Sequence, residues 1–130
     1  MPSESNMNCP FCWANIESNV IQQLGTAAAF EDRNPVTKGH LLIIPVRHTP
    51  DYLSMTSEEK KDADKLIRIL CDKIAESDKT VTGFNIGTNC GKSAGQSIMH
   101  AHIHLIPRRD TDTSNPKGGV RGVIPDKMDY

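Results

Sequence analysis

Residues 100–106 read His-Ala-His-Ile-His-Leu-Ile, and this alternation of imidazole and apolar side chains suits one backbone, an extended strand. A strand turns successive side chains to opposite faces. His100, His102 and His104 therefore share one side, while Ala101, Ile103 and Leu105 share the other. At about 3.3 Å rise per residue, neighbouring imidazoles sit roughly 6.6 Å apart along the strand. Such a row can grip a metal ion, or present one nucleophilic ring between two hydrogen-bonding neighbours. The apolar half needs a core to enter, so the strand belongs to a packed sheet, and Pro107 is expected to stop it.

At 130 residues the chain is expected to be one domain with a real core. A hydrophobic fraction of 37% against 24% charged residues argues for a globular chain rather than a disordered one. The net charge of −1 argues against a general nucleic-acid binder, so any phosphate recognition must be local. No apolar run reaches the roughly 18 residues that span a bilayer, and the polar start, Met1 to Asn8, carries no visible secretory signal. The expected setting is cytoplasmic, without membrane or nucleic-acid partners. There Cys9, Cys12, Cys71 and Cys90 are thiols or metal ligands rather than disulfides.

Local patterns then order the chain. Phe11 to Glu17 suits a short turn or helix. Asn19–Gln23 and Ala27–Phe30 read as strands joined at Gly25, and Leu41–Pro45 as a strand buried on both faces. Ser57 to about Glu76 reads as a helix, with Thr56 as its cap and Glu59 completing a capping box. Ala63, Leu66, Ile67, Leu70 and Ile74 make its apolar stripe, and Cys71 beside them serves packing. Gly83–Gly87 reads as a further strand. Arg108 to Tyr130 shows no periodicity. Strands linked by short turns favour an antiparallel sheet carrying one long helix.

The loop Asn89–Ser97 is small and polar. Gly91 and Gly95 would let backbone N–H groups converge on an anion, with Ser97 and Asn89 adding side-chain donors. Gly91-Lys92-Ser93 invites a phosphate-loop reading. That motif needs a glycine where Ile86 stands and a helix where the histidine strand follows, so it fails twice. Cys9-Pro10-Phe11-Cys12 has a spacing used for zinc and for dithiol chemistry. A redox pair would open a helix after a strand, and this pair precedes every strand. With no second cysteine pair, zinc would need histidines such as His48 and one of the triad.

Taken together and in order, these segments resemble the histidine-triad (HIT) family, from Cys9 to about Arg109. The family's signature alternates histidine with apolar residues and ends on two apolar positions, as His100 to Ile106 does. Phe30-Glu31-Asp32, the run Lys38-Gly39-His40-Leu41-Leu42-Ile43-Ile44-Pro45 with His48, and Gly95-Gln96-Ser97 match as well. The resemblance implies an α+β fold: a five-stranded antiparallel sheet with one long helix and a short N-terminal helix, in a two-fold dimer. Residues 1–109 would form the single domain, and 110–130 a tail that could order on the dimer partner.

The same resemblance implies a nucleotide hydrolase that cleaves at the α-phosphate. His102 matches the nucleophile, which would carry the nucleotidyl group covalently. His104 and His100 match its flanking histidines and His40 the histidine near the site. Asn89, Gly95, Gln96 and Ser97 match the phosphate-binding segment and Asp32 the ribose-contacting position. A histidine at position 104, rather than glutamine, favours the hydrolase branch. Cys9, Cys12, His48 and His100 match a structural zinc set, with no redox cofactor called for. The implied partners are a purine nucleotide or nucleotide conjugate and a second copy of the chain. Two other classes stay open here. One is a nucleotide-binding regulatory or scaffold protein with little turnover, and the other a metal-dependent hydrolase using the histidine row as ligands.

Overall fold

The computed structural model describes residues 8–129, so residues 1–7 and Tyr130, at either end of the expected domain and tail, lie outside it. Five strands, β1 (Val20–Leu24), β2 (Ala27–Glu31), β3 (Leu41–Pro45), β4 (Val81–Gly87) and β5 (Ile103–Arg109), form one sheet in the order β1-β2-β3-β5-β4. Every neighbouring pair is antiparallel. The expected fold class is the one observed.

The sheet has two covered faces. Helix α2 (Ser57–Ser77) packs Ala63, Leu66, Ile67 and Leu70 against Ala27, Ala29, Leu41 and Ile43. Alanines on β2 let the helix approach closely. Thr56 caps α2 as expected, accepting the Glu59 N–H at 3.1 Å while Glu59 accepts the Thr56 N–H at 2.8 Å. On the other face, α1 (Trp13–Ile16) sends Ile16 onto Ala28, Phe30, Leu42 and Ile44. Leu41–Pro45 is buried throughout because a layer covers each side of it. The β1–β2 turn is held by Asp62 of α2, whose Oδ2 accepts from both the N–H and the hydroxyl of Thr26 at 2.8 Å.

Strand β5 departs from expectation at both ends. Ala101, Ile103 and Leu105 do enter the α2-side core, so the alternation itself holds. Yet pairing starts at Ile103 and leaves His100, in a bend, and His102 outside the ladder. Here β3 ends at Pro45, whose carbonyl meets the His100 ring instead of a backbone amide. Nor does Pro107 stop the strand, which runs to Arg109. By position 107, β3 has already ended, and the Pro107 carbonyl takes the Thr37 hydroxyl at 2.8 Å on that side. The missing proline N–H faces the same side, so no ladder bond is lost.

The C-terminal segment carries a four-residue helix α3 (Gly118–Arg121) and a 3-10 turn at Pro125–Lys127. Gly119 lies close enough to Asn85 of β4 that a Cβ there would press on its side chain. Among the described residues no helix is long and apolar enough to cross a membrane.

Candidate active site and metal set

His102 lies buried on the α1 side of the sheet. Its Nδ1 donates to the His100 carbonyl at 2.8 Å. A neutral imidazole carries one proton, so this bond leaves Nε2 as a lone pair, the form a nucleophile needs.

Three further residues fix a proton chain beside it. The Val36 N–H donates to His40 Nδ1 at 3.1 Å, which puts the His40 proton on Nε2. That Nε2 lies 2.9 Å from His104 Nδ1 and 3.4 Å from Asp32 Oδ2. His104 therefore accepts at Nδ1 and carries its own proton on Nε2. Burial holds both His40 and His104 below the ordinary imidazole value, against the pull of the Asp32 carboxylate, so both rings stay neutral. The His102 and His104 rings meet edge to face with centroids 5.3 Å apart. A lone pair on one ring thus sits beside an N–H on the next.

The triad does not converge on a single ion. His104 groups with Asp32 and His40, while His100 groups with Cys9, Cys12 and His48. The Asp32–His40–His104 donors have spacings that would suit an ion. However, the Val36 N–H keeps a proton on His40 Nε2, and an ion there would have to expel it.

The second group passes the same test. His100 Nε2 donates to the Pro45 carbonyl at 2.9 Å, leaving Nδ1 open toward the thiols. Cys9 Sγ and Cys12 Sγ lie 3.5 Å and 3.6 Å from that nitrogen, and Cys12 Sγ lies 3.2 Å from His48 Nδ1. Tetrahedral zinc, with bonds of about 2.3 Å to sulfur and 2.0–2.1 Å to nitrogen, needs N–S edges of about 3.5 Å. Burial lowers the His100 pKa to about 4, and burial together with Cys12 raises that of Cys9 to about 11. A neutral His100 imidazole and a Cys9 thiol that resists ionising without a cation are what a buried zinc set presents. These four residues permit zinc.

A cavity of about 840 Å³ opens beside the triad, lined by Phe11, Ile16, Phe30 and Leu42 with Asp32 at its polar side. Its size and its apolar walls suit a nucleoside. Asp32 Oδ1 accepts the Asn34 N–H at 2.8 Å, which holds the carboxylate in place.

The loop before the triad differs from the expected anion nest. Gly91 and Gly95 both have φ near +90°, at 92° and 93°, and this closes the loop on itself. The N–H groups of Ala94 and Gln96 bond to the Gly91 carbonyl and that of Gly95 to Lys92. The Gly91 N–H goes to Gln96 Oε1 at 2.8 Å, and Gln96 Nε2 donates to the Pro50 and Ile98 carbonyls. The Gln96 side chain is therefore a buried strut with its polar atoms spent, and Gly95 serves the turn. Asn89 places its amide beside Gly95. Ser97 is exposed and lines a smaller cavity with Cys9 and His48. Sequence reasoning missed Phe11, whose ring meets His102 edge-on at 5.0 Å. Its place between two candidate ligands was the available signal.

The HIT domain family model matches residues 14–111. An uncharacterized HIT-like protein of Methanocaldococcus jannaschii is 33% identical, over 92% of this chain and 95% of its own length. A bis(5'-nucleosyl)-tetraphosphatase (asymmetrical) of Schizosaccharomyces pombe is 33% identical over 76% of this chain, which spans 54% of that enzyme. Among solved structures, a Zn-bound histidine triad family protein of Mycobacterium smegmatis superposes with a TM-score of 0.74 at 32% identity, over 82% of this chain and 79% of that one.

Proposed function

The chain belongs to the HIT domain family, and on that premise we propose that it hydrolyses nucleotides at the α-phosphate through a covalent nucleotidyl intermediate on His102. The substrate is a purine nucleoside phosphoramidate or a dinucleoside polyphosphate. The observation that carries this reading is the pair of fixed tautomers. His102 turns a lone pair outward because its Nδ1 proton is held by the His100 carbonyl, and His104 turns a proton outward because its Nδ1 accepts from His40.

In the first step, His102 Nε2 attacks phosphorus in line with the leaving group. The P–N or P–O bond to that group breaks; an amine leaves with a proton taken from solvent, and a phosphate leaves as its anion. The His104 N–H stabilises charge on the phosphoryl group or the departing atom. Attack places positive charge on the His102 ring, which the carbonyl bond to its Nδ1–H stabilises. Water then attacks phosphorus and releases a proton to solvent, the P–N bond to His102 breaks, and the ring regains its lone pair. Asp32 would accept from the ribose hydroxyls, and Asn89 and Ser97 would donate to phosphate oxygens. Zinc held by Cys9, Cys12, His48 and His100 would have a structural role.

The relative named as a dinucleoside tetraphosphatase supports the substrate class. We also propose a homodimer. Ile86 on edge strand β4 and Val120, Val123 and Ile124 of the tail are apolar and exposed, and a second copy would cover them.

A turnover screen comparing an adenosine phosphoramidate with diadenosine tri- and tetraphosphate tests the reading. Turnover of at least one substrate, lost in His102→Ala with the fold and AMP binding intact, is the expected result. Tight AMP binding with no turnover of any of the three would make the chain a binding protein instead.

A further inference from the structure

We propose that Phe11 is a positioning residue linking the metal set to the nucleoside cavity, so that zinc and nucleotide each tighten the binding of the other. This rests on the nucleotide-hydrolase reading. Phe11 stands between the candidate ligands Cys9 and Cys12, in a turn closed by the Cys12 N–H on the Cys9 carbonyl at 3.3 Å. Its ring meets Phe30 at 5.4 Å and 64° and His102 at 5.0 Å and 76°, both edge-on. The turn thus contributes a wall of the cavity and touches the nucleophile.

Two more contacts join the same parts. Pro10, the other residue between the cysteines, lines the cavity as Phe11 does. Asn15, also on the cavity wall, donates from Nδ2 to the Cys9 carbonyl at 2.7 Å. The other two ligands belong to the frame that carries the triad. His100 precedes His102 by two residues, and His48 follows the end of β3.

Coordination would therefore tie the turn to the segment that aims His102. Without that coordination the turn rests on single hydrogen bonds, the Cys12 N–H and the Asn15 amide on the Cys9 carbonyl, and is held less firmly. A nucleotide arriving at the metal-free protein must order Pro10 and Phe11 itself. Arriving at the loaded protein, it finds them ordered, and the affinity difference is that ordering cost. Linkage requires nucleotide to raise zinc affinity by the same factor.

The test uses the full chain, AMP and zinc. Calorimetry gives the AMP Kd for zinc-loaded and chelator-stripped protein, and a chromogenic chelator gives the zinc Kd with and without saturating AMP. Trp13, the only tryptophan and the neighbour of Cys12, reports metal binding by fluorescence. The expected result is about a tenfold tightening in each direction, within the usual range of coupling between sites. Phe11→Ala removes no ligand, so it should still bind zinc while both factors fall toward one. It should also raise KM more than it lowers kcat, and Phe11→Tyr should restore the coupling.

Equal AMP affinity with and without zinc would overturn the proposal, as would full coupling in Phe11→Ala. Should stripped protein unfold, the zinc-loaded forms decide alone. An AMP Kd in Phe11→Ala equal to that of the parent would overturn it, and a roughly tenfold weaker one would support it. Zinc failing to bind would end this proposal and leave the hydrolase reading standing. AMP binding to neither form would end both.

Discussion

Replacing His40 by asparagine or by glutamine separates the two bonds that His40 makes. Val36 donates to its Nδ1 at 3.1 Å, and its Nε2 lies 2.9 Å from His104 Nδ1. Asparagine keeps an acceptor near the Nδ1 position and offers nothing that reaches His104. Glutamine places an amide N–H near the Nε2 position and so keeps the donor. Without it, His104 Nδ1 is an acceptor left short of a partner. Its side chain is 28% exposed, so water can take up part of the loss, and the cost falls toward the low end of about 1–3 kcal/mol. That is enough for His104 to move its proton to Nδ1 and turn a lone pair toward the phosphate. Losing one donor to a developing anion typically costs about 10²–10³ in kcat. His40→Asn should therefore lower kcat about 10²-fold with KM within about threefold, and His40→Gln should stay within about tenfold of the parent. Steady-state kinetics together with ¹⁵N multiple-bond NMR of the His104 tautomer read both effects. Equal activity in the two variants would refute the reasoning, as would a parent protein protonated at His104 Nδ1.

Because burial lowers the pKa of both His40 and His104, the loss of kcat/KM caused by protonating this pair should come at a lower pH than ordinary imidazoles would give, in a pH–rate profile. The sign for stability agrees: the unfolded chain takes up these protons first, so the contribution is complete above 6.5 and is lost as pH falls toward the folded values, as denaturant melts across pH would show. Glu59→Ala should cost about 2–3 kcal/mol in urea unfolding, because it removes the α2 capping partner and strands Arg47, which holds the buried carboxylate at 2.9 Å and 3.0 Å. Deleting Gly118 to Tyr130 should raise KM for a dinucleoside polyphosphate more than for a phosphoramidate. Equal effects on the two substrates would show that the tail does not read the leaving group.

The elements legible in the sequence were those with a local cause. Thr56 and Glu59 announce the start of α2 because the capping box is made within four residues. The histidine alternation announces which side chains share a face, since period two is a property of extended chain alone. The cysteine spacing left the triad histidine open, and the family resemblance supplied His100 to complete the set that the structure gathers. What stayed hidden depends on neighbours distant in sequence. Whether Pro107 ends β5 depends on where β3 stops, and whether Gln96 can meet a substrate depends on Pro50. The tautomer of His104 is set by Val36 through His40, a relay that no spacing encodes. Phe11 becomes a site residue only once the turn between Cys9 and Cys12 is folded over His102.

The covalent step is the centre of the account, and mass spectrometry of the trapped intermediate tests it most directly. Rapid acid-free quenching of the enzyme with a slow adenosine phosphoramidate, followed by peptide mapping, should place one adenylyl group on His102. The adduct should be absent from His102→Ala and should decay at the rate of turnover. A burst-free reaction with no adduct, or an adenylyl group on any other residue, would contradict the account.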